Sequence, residues 1–301
     1  MPELPEVETI RLGLQKYLVG HVIESIDVRL PKIVSGDVGQ VEGVKVLDVR
    51  RFGKGLVIDL SNSYSIAIHI KMTGQLVYVG EKAKGAKIAT EKVGTLPGAH
   101  THVIFHLDDG SNPQSKSDLT LPSPARGEGK AVLYYNDLRR FGWIKILKTN
   151  DVSELPFFKE LGPEPFKELT LDVFKKIIQS SPKSPIKPLL MDQKKIGGIG
   201  NIYANDALYR AKIDPRRKAA TLTEKEMKTL FDAIEEVMRK GIEMGGSSEW
   251  SYVNVLGEVG GYQKLFLVYG QDGKPCVRCK TLIEKVQFGG RGTYFCSTCQ
   301  M

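Results

Sequence analysis

Four cysteines stand in the last 26 of 301 residues as two Cys-x2-Cys pairs, Cys276 with Cys279 and Cys296 with Cys299, sixteen residues apart. Each pair can bend around one metal ion. Four thiolates close a tetrahedral site with no open position, so the spacing points to one structural Zn2+ rather than a catalytic metal. Two disulfides are the alternative, which a reducing compartment disfavours. The chain is therefore expected to end in a zinc finger over about residues 267–301. Between the pairs, "QFGGRGTYF" reads as a β-hairpin whose tip carries Arg291 between glycines, where its guanidinium can reach a phosphate.

Upstream the texture divides in two. From His21 to Lys148 eight short β-branched runs ("VIESIDVRL", "VKVLDVR", "LVIDL", "SIAIHI", "QLVYVG", "HVIFHL", "AVLYY", "WIKILK") predict a β-sandwich or barrel. One helix precedes them, with Pro5 in its first turn and Val7, Ile10, Leu14 and Leu18 at helical spacing; Leu4 gives it a poor cap. Beyond residue 149 the periods are helical, in "LDVFKKIIQ" and in the run from Thr223 to Met244, which a Thr223/Glu226 capping box opens. Short strand-like runs return from about Val253. The expected fold is α+β: an N-terminal β-sandwich with a leading helix over 1–149, then a helical domain over 150–301. Residues 109–130, rich in proline, serine and glycine, read as a disordered insertion between two strands.

Charge narrows the partners. Forty-three Lys and Arg against 35 Asp and Glu give a net +8, which favours a polyanion. No stretch approaches a membrane span or a signal peptide, so the expected location is cytoplasmic, with no membrane partner. His100, His102 and His106 lie close together, but Ile104 stands between the latter two and no acidic ligand is adjacent. Packed or phosphate-facing histidines are the more economical reading than a second metal.

The front of the chain, "MPELPEVETI", carries the chemistry. With Met1 removed, Pro2 would present a secondary amine whose pKa, about 8 against about 10.4 for lysine, leaves a usable share of free base at neutral pH. Such an amine condenses with an aldehyde to an iminium, an electron sink that acidifies the neighbouring C–H and opens elimination chemistry. Glu3 beside it can move protons. The alternative is that both Pro-Glu pairs are helix-start residues, which suits Pro5, Glu6 and Glu8 but explains less of Pro2 and Glu3, which precede the first turn.

Seven stretches in order, "PELPEVE", "RRFGKGLVI", "HIKMTG", "NDLRRFG", "IKPLLMDQKKIGGIGNIYANDAL", "GGSS" before "YVN", and the cysteine pairs, resemble the formamidopyrimidine-DNA glycosylase family. The resemblance implies a helix-two-turn-helix element in the C-terminal half, double-stranded DNA with oxidised purines or abasic sites as partner, and a monomer in the bacterial cytoplasm, associated with the nucleoid. It implies removal of 8-oxoguanine and formamidopyrimidines through a Schiff base on Pro2, followed by β,δ-elimination. Glu3 is then the acid/base partner, Lys54 assists β-elimination, and Arg291 serves the second elimination. A lesion must be flipped out of the duplex, and Met72, Arg139 and Phe141 match the residues that fill the hole. His69, His100, Lys183, Lys187 and Asn201 fall among the family's DNA contacts, with the helix N-terminus at Asn201 expected to bind phosphates. Three departures stand out: Leu138 where the family has proline, Trp250 in the lid-like segment 245–254, and the insertion. The alternatives are an endonuclease VIII-like enzyme for oxidised pyrimidines, against which Leu4 speaks, a non-catalytic zinc-ribbon DNA-binding protein, and a tautomerase using an N-terminal proline.

Overall fold

The computed structural model describes residues 2–109 and 131–301; apart from Asp109, the insertion expected at 109–130 lies outside the described residues. The leading helix α1 spans Leu4–Tyr17 and buries Val7, Ile10 and Leu14 at the spacing read from the sequence. Its cap corrects the expectation. Leu4 is already helical, Glu3 is the N-cap, and the Glu6 carboxylate accepts the Glu3 N–H at 2.8 Å, half of a capping box.

Nine strands follow: β1 (Val22–Val28), β2 (Val34–Ser35), β3 (Val44–Phe52), β4 (Gly55–Leu60), β5 (Tyr64–His69), β6 (Gly74–Val79), β7 (Thr101–Leu107), β8 (Val132–Asp137) and β9 (Trp143–Lys148), with the one-turn helix α2 (Thr90–Val93) between β6 and β7. All eight predicted runs are strands; β2, two residues long, is too short for periodicity to announce. One layer orders β6-β8-β7-β1 and the other β3-β4-β5-β9-β2, joined where β1 meets β3 through Val22 and Ile23. Val49, Ile58, Ile66, Phe105, Leu133 and Ile144 fill the space between the layers and pack with the apolar face of α1.

The helical half contains α3 (Pro156–Lys159), α4 (Leu171–Gln179), α5 (Ile186–Met191), α6 (Asn201–Arg210) and α7 (Glu224–Glu243), then the hairpin β10 (Glu284–Phe288) and β11 (Arg291–Phe295). The capping box forms at α7: Thr223 Oγ1 accepts from the Glu226 N–H at 3.2 Å, and the Glu226 carboxylate accepts from the Thr223 N–H at 2.8 Å. The strand-like runs from Val253 are not strands before Glu284. Their backbone is satisfied differently, because the buried Asp206 carboxylate accepts the N–H groups of Leu267, Val268 and Tyr269 in place of a partner strand.

The two cores are cross-braced. Leu4, on the helix that covers the sandwich, is buried in the helical core with Ile199, Ile202 and Tyr203. In return Tyr252 and Val255 from the helical half lie in the sandwich core. Complete burial of Leu4 contributes about 2 kcal/mol to that union. Among the described residues no helix is long and apolar enough to cross a membrane.

Candidate active site and nucleic-acid interface

Pro2 and Glu3 are both buried where α1 meets α6. The Glu3 carboxylate accepts from the backbone N–H groups of Ile202 at 2.8 Å and Tyr203 at 3.4 Å, in the first turn of α6. An anion there meets unpaired donors and the positive end of the helix dipole. The chain's own carboxylate thus takes two of the donors at the terminus where a phosphate site is expected. It also explains the glycines before it. A Cβ on Gly200 would stand 2.3 Å from the Glu3 carboxyl carbon, and one on Gly198, whose φ is +93°, 2.6 Å from Leu4. Both positions make room for the N-terminus.

Lys54, in the tight turn between β3 and β4, is 4% exposed and donates from Nζ to the Ile199 carbonyl at 2.9 Å. Burial lowers its pKa, opposed by the nearby Glu3 and Glu6. The turn is held by Arg51, which bonds Glu8 at 2.8 Å, the Gly53 carbonyl at 2.9 Å, and Glu164. Thus one guanidinium ties α1, the Lys54 turn and the start of the helical half together. Glu6 takes three donors: the Glu3 N–H, the Tyr203 hydroxyl at 2.8 Å and the Ser247 N–H at 2.8 Å. Its pKa is nonetheless pushed up to about 7, by burial first and the Glu3 charge second. Sequence reasoning missed Glu6, Tyr203 and Arg51 as parts of the site; only the three-residue spacing of Glu3 and Glu6 signalled one of them.

The four cysteine Sγ atoms lie within 4.8 Å of one another, with Cys276 to Cys299 at 3.9 Å and Cys279 to Cys296 at 3.4 Å. A tetrahedron with Zn–S bonds of about 2.3 Å has edges of about 3.8 Å, so the thiolates fit one zinc ion. Tyr209 Oη lies 3.2 Å from Cys276 Sγ and joins α6 to the ligand set. Among the described residues these cysteines form the one cluster of metal-ligand type. His102 is instead packed, its Nε2 2.9 Å from the Asp137 carbonyl.

The finger hairpin turns through Gly289 and Gly290, with φ of +58° and +72°, the left-handed pair that a two-residue hairpin turn requires. Arg291 follows and is exposed, as expected. Two of the expected DNA contacts grip this hairpin from inside. Lys187 Nζ donates to the Gly292 carbonyl at 3.0 Å and the Thr293 hydroxyl at 2.7 Å, and Asn201 Nδ2 donates to the same carbonyl at 3.1 Å. Lys187 is 1% exposed, and burial with Arg291 nearby pushes its pKa down to about 7.

The remaining sequence-predicted residues separate. Met72, Arg139 and Phe141 come together: an Arg139 N–H donates to Met72 Sδ at 3.0 Å, and the guanidinium lies 4.7 Å from the Phe141 ring centre. Both apolar members are exposed, Phe141 at 54%. Left-handed Lys71 and Arg140 bend the two loops, and Asp137 fixes the second by accepting from the Arg139 and Gly142 N–H groups. Leu138 is exposed on that turn, so losing a proline there disturbs no packing. Lys183 and His100 are exposed. His69 is not: its ring packs edge-on against Phe157 at 4.6 Å, Nδ1 accepts the Lys71 N–H, and burial drives its pKa down to about 3. A cleft of about 800 Å3 lies elsewhere, between α1, β3 and α7, and does not include Pro2, Glu3 or Lys54.

A sandwich whose leading helix delivers Pro2 and Glu3 to the glycine-lined start of a second-domain helix, beside a four-cysteine finger, defines a class of helix-two-turn-helix proteins with a proline at the second position. More narrowly, the chain belongs to the formamidopyrimidine-DNA glycosylase family. The family's N-terminal domain matches residues 1–144, its H2TH domain residues 161–252, and the zinc finger found in FPG and IleRS residues 273–300. A formamidopyrimidine-DNA glycosylase of Pelotomaculum thermopropionicum is 40% identical over all of this chain and 99% of its own length. Two solved structures of Lactococcus lactis Fpg are similar throughout. The wild-type protein with DNA containing N7-benzyl-Fapy-dG is 31% identical, with a TM-score of 0.81 over 100% of both chains. The complex with abasic-site DNA is 30% identical, with a TM-score of 0.80 over 99% of both.

Proposed function

We propose that this chain is a bifunctional DNA glycosylase and AP lyase that removes oxidised purines, 8-oxoguanine and formamidopyrimidines, from double-stranded DNA. After loss of Met1, the Pro2 amine attacks C1′ of the damaged nucleoside, the base departs, and the C1′–O4′ bond opens with a proton to O4′, leaving the sugar held as an iminium. Proton removal from C2′ then expels the 3′ phosphate, and a second elimination expels the 5′ phosphate. Glu3, its carboxylate seated on two backbone donors at the start of α6, moves the protons. Lys54 supports the first elimination and exposed Arg291 the second. Met72, Arg139 and Phe141 fill the vacated stack, an apolar wedge and a ring in place of the base and a guanidinium for its orphaned partner. His100 and Lys183 contact phosphates from outside; Lys187, Asn201 and His69 act by setting the finger and the turn at Lys71. Residues 1–149 form the catalytic domain and 150–301 the helical domain, with the finger from about 267; the enzyme works as a monomer in the cytoplasm, at the nucleoid.

The observation that carries this reading is the Glu3 carboxylate clamped on α6 beside buried Pro2, with Lys54 bonded to the same glycine-rich turn. Borohydride trapping tests it: an 8-oxoguanine duplex yields a covalent adduct, and an N-terminal extension that keeps residue 2 in peptide linkage abolishes it. Absence of an adduct on every damaged or abasic duplex refutes the mechanism.

A further inference from the structure

A segment of the helical half, residues 245–254, closes over Pro2. The space bounded by Pro2, Met72, Ile202, Ser247, Trp250 and Tyr252 amounts to about 10 Å3. That is room for about one water molecule and not for a nucleobase. A base that is to meet the amine can enter only after this lid moves outward, so whatever holds the lid governs entry.

Besides the Glu6 carboxylate on the Ser247 N–H, two side chains from the sandwich hold it. Gln75, on β6 and 4% exposed, uses both hydrogens of its amide: Nε2 donates to the Ser251 carbonyl at 2.6 Å and to the Lys92 carbonyl at 3.1 Å. Both partners are carbonyl oxygens, so only the NH2 end can serve them and the orientation of the amide is fixed. Lys92, on α2, returns a second bond from Nζ to the Trp250 carbonyl at 2.5 Å. Beneath them Val77, Val93 and Val253 form a small buried cluster, flanked by Ile88 and Leu96. The Ala89 N–H adds a bond to the Gly257 carbonyl at 2.8 Å. The residues from 81 to 97 thus form a strap across the back of the lid.

The same connection runs to the exposed wedge. Gln75 lies three residues after Met72, and the Ser251 hydroxyl is 3.4 Å from the Met72 carbonyl. A push on Met72 therefore acts on the strand whose glutamine grips the lid. We propose that Gln75 and Lys92 are positioning residues that latch the lid shut over Pro2, and that seating of Met72 in a duplex releases the latch and admits the base. The inference rests on reading Pro2 as the amine that receives a flipped base. The latch makes pocket opening a step of its own, taken only when the wedge has found a stack that yields.

Two variants test this, Gln75→Leu, which keeps the buried volume without the donors, and Lys92→Met, which alters only a half-buried side chain. In the free protein, hydrogen exchange of amides 247–253 is expected to quicken about threefold or more in both while α1 stays unchanged. Unaltered exchange in the lid overturns the proposal. In single-turnover assays, the ratio of 8-oxoguanine excision to cleavage of a preformed abasic duplex is expected to rise about fivefold, with abasic cleavage within about twofold of the parent, because an abasic sugar brings no base to admit. A ratio that stays or falls, or equal losses on both substrates, also overturns it. If the parent protein cleaves no abasic duplex, the functional reading fails, and the exchange measurement still decides the latch.

Discussion

Glu6 sits where hydrogen bonding and burial pull in opposite directions. Three donors favour its carboxylate, yet removal from water and the adjacent Glu3 charge outweigh them and raise its pKa to about 7. An acid whose folded pKa exceeds its unfolded value of 4.5 binds more protons in the native state, so stability falls as pH rises from about 4.5 through 7. The shift corresponds to a term on the order of 3 kcal/mol. In Glu6→Gln this part of the slope should vanish, leaving the falling contribution of Asp206, raised to about 6 by burial, against the rising contribution of His69, lowered to about 3 by burial. Melting temperatures of both proteins between pH 4 and 8 check it; parallel curves would remove Glu6 as the cause. None of this was visible in "PELPEVE", where Glu6 reads as a helix-start glutamate. Its burial depends on Tyr203 and Ser247, some two hundred residues away, and one-dimensional spacing carries no information about them.

At the scale of elements, the start of α6 is shaped by what docks on it. The glycine run was legible as a turn before a helix, and the finger hairpin was legible because its Gly289–Gly290 pair and its cysteines are local patterns. The purpose of Gly200 was not. A phosphate and a carboxylate satisfy the same helix terminus, and only the fold brings Glu3 there. Gly200→Ala should therefore act on chemistry more than on folding. Its φ of −135° suits any residue, but the added methyl would displace Glu3 from the Ile202 N–H. Excision is expected to drop by about a hundredfold or more, the loss typical of removing a proton-transfer group, while the circular dichroism spectrum stays unchanged. An alanine variant with normal excision would show that Glu3 need not be held on α6.

For the whole molecule, the sandwich, helical and finger cores differ in how they are secured. The sandwich and helical cores share α1, exchange Leu4 against Tyr252 and Val255, and are pinned by Arg51 between Glu8 and Glu164. The finger core is small, built from Tyr209, Val268, Ile283 and the buried cysteines, and a cluster of that size does not hold its shape without its metal. Chelation should therefore release the finger alone. The main thermal transition is expected to persist, since neither large core uses a cysteine. Two local effects follow: the hairpin leaves Lys187 and Asn201, whose bonds to Gly292 place Arg291, and the Lys187 amine regains water and its full charge. Duplex affinity should fall about tenfold or more for want of the finger's phosphate contacts. Borohydride adduct at saturating abasic DNA should survive, because Pro2, Glu3 and Lys54 are assembled by α1, α6 and the β3–β4 turn without any finger residue. Fluorescence anisotropy and trapping on the same chelated sample separate the two. Binding that remains intact would remove Arg291 from the interface, and loss of the adduct would mean that the finger reaches into the chemistry at Pro2.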